Sequence, residues 1–146
     1  MARRRRDPYT RHGFGSAQAG TNPNMTASQA LTALREMGEH VVNAAKRVLK
    51  DGADIIVAEA KSRCPVKTGR LRESIKATPK YQGTVYEISA NASKTDSHGR
   101  TYYYGGRVEF DPTFGNPFLY PAFDAHSNEI YHKVRDAISN AIRSRA

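Results

Sequence analysis

At 146 residues and 16.2 kDa the chain has the size of one domain, and its 38% hydrophobic content supplies one modest core. The single Cys64 excludes a disulfide scaffold within the chain and any multi-cysteine metal site, and no stretch approaches the roughly 18 apolar residues of a membrane span. The net charge of +9 is unevenly placed: in residues 1–25, Arg3, Arg4, Arg5, Arg6 and Arg11 stand against Asp7 alone, which makes +4 and leaves +5 for the rest. A basic tail on a mildly basic body calls for a polyanionic neighbour, either DNA or an acidic protein surface.

Residues 1–25 read as an extended, flexible arm, because Pro8, Gly13, Gly15, Gly20 and Pro23 interrupt them and no apolar period runs through them. Such a segment becomes ordered against a partner or a neighbouring subunit. Residues 26–146 read as a single α+β domain. Its first element is a long helix over residues 26–63, with Thr26 and Gln29 spaced as a capping box. Leu34, Gly38, Val41, Ala45, Val48, Gly52 and Ile55 follow a 3–4 spacing, flanked by Leu31, Val42, Leu49 and Ile56. Such a helix would run roughly 55 Å at 1.5 Å per residue. Gly38 and Gly52 mark a kink or a close helix contact. Pro65 ends the helix, and Lys61 and Arg63 suit the negative end of its dipole.

Residues 65–70 form a turn, and residues 71–75 are either a helical turn or the start of a strand. Residues 84–91 are rich in β-formers and predict a strand. Residues 92–101 read as an exposed loop, residues 102–110 as a second strand region, and residues 111–116 as another loop. Pro121 suits the first turn of a closing helix whose apolar stripe holds Phe123, Ile130, Val134, Ala137, Ile138, Ala141 and Ile142. The order helix, strands, helix gives a small, mostly antiparallel sheet between a long N-terminal helix and a C-terminal helix.

No constellation for catalysis, cofactor binding or metal binding emerges. His12, His40, His98, His126 and His132 complete no HExxH motif or zinc spacing, and His40 reads as a surface or interface residue. Lys67-Thr68-Gly69 lacks the SxxK and SDN partners of penicillin-binding enzymes and the preceding glycine of a P-loop. Cys64 has no paired base in the sequence and reads as a half-buried structural thiol. The aromatics Tyr102, Tyr103, Tyr104, Phe110, Phe114, Phe118, Tyr120 and Phe123 are concentrated in about 22 residues. They could stack on bases, but only Arg100 and Arg107 lie among them, so core and interface packing is the favoured reading.

Three stretches resemble one family. Residues 60–75 (AKSRCPVKTGRLRESI) look like the signature of phage tail-completion or head–tail joining proteins, the family of gene product ten of the lambdoid HK-type phages. Residues 104–110 (YGGRVEF) are similar to its VEF strand, and residues 116–123 (NPFLYPAF) to its PFLxPA start of the last helix. The resemblance runs over about residues 30–142 and departs from the family at Asp111-Pro112, where a glycine is usual; the arginine arm lies outside it.

The resemblance implies an α+β fold, no catalysis and a virion role at the neck, as a ring of identical copies, six-fold in expectation. Its partners would be other neck, connector or tail-terminator proteins and the DNA passing through the channel, with no membrane. Synthesis would take place in the host cytoplasm. Within the motifs, Pro65, Thr68 and Gly69 mark the turn, with Thr68 able to bond the local backbone. Tyr104, Glu109 and Phe110 mark the strand, and Pro117, Phe118, Leu119 and Pro121 the start of the last helix. They serve either the monomer core or packing between subunits. A head-closure or connector adaptor of the same neck is the alternative; a nucleic-acid-binding protein acting through Arg3–Arg6 is a third reading, which predicts steep salt dependence.

Overall fold

The computed structural model describes residues 26–145. The chain divides after Leu34 into two compact units. Of the first, the described part is residues 26–34, the cap and opening turns of α1 (Ala27–Arg63). The capping box forms as the sequence predicts: the Gln29 N–H donates to Thr26 Oγ1 at 3.3 Å, and the Thr26 N–H donates to Gln29 Oε1 at 2.9 Å. Leu31 and Leu34 are exposed.

The second unit holds the remaining elements. Pro65 stops α1 as expected; the Cys64 N–H still reaches the Ala60 carbonyl at 2.9 Å, and Arg63 pairs with Glu59 at 2.6 Å in the last turn. Gly69 then takes φ +81°, a left-handed conformation cheap only for glycine, and opens the short α2 (Arg70–Ser74). Both readings of residues 71–75 hold in succession, since β1 (Ile75–Lys80) starts where α2 ends. β1 pairs antiparallel with β2 (Val85–Ala90), from Ile75 opposite Ala90 to Lys80 opposite Val85. β2 is the strand expected over residues 84–91.

The next stretch corrects two expectations. Residues 92–101 are not wholly loop: β3 (Ser93–Thr95) pairs antiparallel with β4 (Thr101–Tyr103), as a two-stranded sheet separate from β1–β2. The strand expected over residues 102–110 ends at Tyr103, and Gly105–Phe110 is a helix, α3. Burial explains the switch. Gly105, Val108 and Glu109 turn inward while Gly106, Arg107 and Phe110 face out, a 3–4 spacing rather than alternation. A Cβ at Gly105 would lie 2.2 Å from the Ala90 carbonyl oxygen, so only glycine lets this helix start against the end of β2.

The last helix, α4 (Leu119–Arg143), carries Pro121 in its first turn, as the sequence predicts. The buried cluster joins Ile56 and Ala60 of α1 and Cys64 just after it to Leu71, Ile75 and Ala92, and to Phe118 and Ala122 at the head of α4. Ile56, from the flank of the expected α1 stripe, is thus buried, while Ile55 within that stripe is exposed. The glycines of α1 differ. A Cβ at Gly52 would come within 2.8 Å of Ile130 on α4, a close helix contact, whereas Gly38 has open space around it. His40 Nε2 lies 3.4 Å from Ser144 Oγ, linking α1 to the turn after α4.

Candidate functional site

The motif residues gather around the joint between α3 and α4. Glu109 is the buried charged residue of the core, at 6% exposure. Its Oε2 accepts from the N–H groups of Phe118 (2.8 Å) and Leu119 (2.9 Å), and its Oε1 from that of Tyr120 (2.7 Å). A helix leaves its first four N–H groups unpaired, here those of residues 118–121. Glu109 takes three, and the fourth does not exist, because residue 121 is proline. The carboxylate also sits at the positive end of the α4 dipole. The buried charge is therefore met by three charge-assisted bonds, and Phe118 beside it is fully buried.

Sequence reading marked Glu109, Phe118, Leu119 and Pro121 but missed that they form one device. The signal was available: a glutamate on the inward spacing of a short helix, followed by a helix start that lacks a Ser, Thr, Asp or Asn cap.

The intervening loop is fixed in the same manner. Asp111 Oδ1 accepts from the N–H groups of Thr113 (2.9 Å) and Phe114 (3.0 Å), so the departure from the family's glycine is an Asx-type turn. These two bonds, with the Arg107 guanidinium 3.4 Å from Oδ2, hold the Asp111 carboxyl below its ordinary pKa. The Asn116 N–H donates to the Val108 carbonyl at 2.7 Å and closes the loop onto α3.

On one side of this joint, Pro65, Thr68 and Gly69 meet Tyr104, Val108 and Phe114 around an open groove of about 460 Å³. The turn motif and the start of α3 are thus brought together. Thr68 itself lines this groove. A second open groove, of about 490 Å³, is mainly apolar and lies between α1, β2 and α4, with Leu49, Ile56, Ile88, Phe123 and Ile130 on its walls. Pro117 is exposed, and Leu119 is half-buried against the core.

The aromatics correct the core half of the packing expectation, since most of them lie on the surface. Phe118 alone among them is in the buried core, with Tyr104 packed at its edge. Phe110, Phe114, Tyr120 and Phe123 face solvent, Phe114 at 80% exposure, with Phe110 and Tyr120 edge to face at 5.6 Å. Tyr102 and Tyr103 are exposed on β4. They have little part in the monomer's core because β4 belongs to a hairpin with no buried residue. Arg3, Arg4, Arg5, Arg6 and Arg11 lie outside the described residues.

Cys64 is buried at the end of α1, and that burial pushes its thiol pKa up. Among the described residues no helix is long and apolar enough to cross a membrane, and no group of three metal-ligating side chains occurs.

A small α+β chain with a stapled helix joint and large apolar side chains left on its surface has the physical character of an assembly subunit. A family model described as bacteriophage HK97-gp10, tail component, matches residues 28–110, more than half of the chain. The chain belongs to this family of phage tail components, a virion-associated structural class. The match takes in the 60–75 signature and the α3 glutamate, and it stops before the start of α4. No curated protein and no solved structure matches the chain.

Proposed function

We propose that this chain is a subunit of the neck of a tailed phage, a tail-completion ring of identical copies that joins the DNA-filled head to the tail. It acts by shape and contact, without catalysis or cofactor. The observation that carries this reading is the surface of the second unit. Phe110, Phe114, Tyr120 and Phe123 stand exposed around a joint that Glu109 and Asp111 hold rigid. Aromatic side chains presented by a fixed backbone are the anchors that subunit interfaces use. A ring needs head-to-tail contacts between two different faces, and the two grooves offer surfaces of different chemistry for that purpose.

Its other partners would be connector or tail-terminator proteins and the DNA in the channel, toward which a basic surface is favourable. A head-closure adaptor in the same neck is the nearest alternative. Electron microscopy of particles from a phage lacking this gene tests the proposal. Separate DNA-filled heads and finished tails are expected. Normally joined virions would remove the neck role altogether.

A further inference from the structure

The β3–β4 hairpin is unused by the fold. Every residue of both strands is exposed, and the hairpin shares no ladder with β1–β2. An isolated two-stranded hairpin is marginal in water by itself, so its side chains are candidates for an external contact. Its turn is built with care: Asp96 Oδ1 accepts from the N–H groups of His98 and Arg100, each at 2.9 Å, and Gly99 takes φ +77°.

The register decides what each face carries. Lys94 stands opposite Tyr102, and Thr95 opposite Thr101. The Asp96 N–H donates to the Arg100 carbonyl at 3.0 Å, which continues the same pairing by one step. Alternation then places Lys94, Arg100 and Tyr102 on one face, together with Asp96, whose carboxylate is engaged in the turn. The opposite face carries Tyr103 and the two threonines, whose hydroxyls lie 3.1 Å apart. In sequence Lys94 is eight positions from Tyr102 and does not read as its neighbour; the hairpin makes it one.

We propose that the face bearing Lys94, Arg100 and Tyr102 contacts a nucleic-acid backbone, with duplex DNA as the ligand. Two cations flanking an exposed tyrosine present donors for phosphate oxygens and a ring for sugar or base contact. Charge complementarity favours DNA as the occupant: the face carries two cations with one acid bound into the turn, on a chain of net charge +9. The contact reads no sequence, since the hairpin has too few groups to address base edges. It belongs to the isolated subunit as well as to any ring, so it stands or falls independently of the neck role.

The test uses the full chain and a labelled mixed-sequence 30-base-pair duplex, followed by fluorescence anisotropy between 50 and 200 mM salt. For K94A/R100A the log–log salt slope should fall by roughly 1.8, about 0.9 for each cation removed. Each single substitution should give half that change, which keeps the test valid if the pair fails to fold. Tyr102→Ser should weaken binding and leave the slope in place. The same decrements should appear when Arg3–Arg6 are replaced by alanine, which separates the hairpin from the arm. Unchanged affinity and slope in K94A/R100A would overturn the proposal. So would a variant that binds DNA normally but no longer associates with an acidic neck protein, because the hairpin would then be a protein contact.

Discussion

Glu109 shows how much one side chain can organise. Replacing it with alanine leaves three N–H groups at a buried helix start without an acceptor, and the loss should be about 2–3 kcal/mol in chemical denaturation. Glu109→Gln keeps the shape but has one carbonyl oxygen for three donors, so it should fall between alanine and the parent. Unchanged stability in both variants would mean that water replaces the cap. Asp111 gives a pH signature. Its folded pKa is depressed, first by the Phe114 N–H, then by the Thr113 N–H and Arg107. A depressed carboxyl contributes stability that is present above its unfolded value of about 3.9 and is lost as pH falls through the lower folded value. The amide signals of Thr113 and Phe114 should therefore hold their positions through pH 5 and move only in that acid window. Asp111→Asn should remove that titration.

At the scale of elements, α1 and α4 meet where a side chain is missing. Gly52 admits Ile130, so Gly52→Ala forces overpacking and should cost about 1–3 kcal/mol, despite alanine's better helix propensity. Gly38 faces open space, so Gly38→Ala should instead stabilise by up to about 1 kcal/mol. Opposite signs for the same substitution in one helix can be read directly from thermal midpoints; equal signs would mean that the Gly52 contact is not close. Gly105 is a third case, since its missing Cβ is what seats α3 on the carbonyl at the end of β2. The helical reading of residues 105–110 was present in the sequence as a 3–4 spacing of Gly105, Val108 and Glu109. Two aromatic-rich flanks with strong β propensity masked it.

For the whole molecule, the exposed apolar side chains separate folding from assembly. Phe114 and Phe123 take no part in the buried cluster, so replacing both with serine should leave the thermal midpoint of the dilute chain unchanged. The same pair should reduce association into larger species, measured by sedimentation across a concentration series, if these residues lie between copies. A large fall in thermal midpoint would instead assign them to the monomer.

The sequence by itself determined the long first helix with its capping box, the stop at Pro65, the glycine turn at Gly69, the strand at residues 84–91, the closing helix and the family. Each of these rests on local chemistry: a cap, a missing N–H, a left-handed φ, an apolar period. Only the tertiary structure decided that Glu109 caps α4, that Gly52 faces Ile130, and that Lys94 stands beside Tyr102. These contacts join residues from 8 to 78 positions apart, across elements whose mutual placement is set by packing and register. A local pattern such as the uncapped start of α4 shows that a partner is needed, but packing and register decide which residue is brought face to face with it.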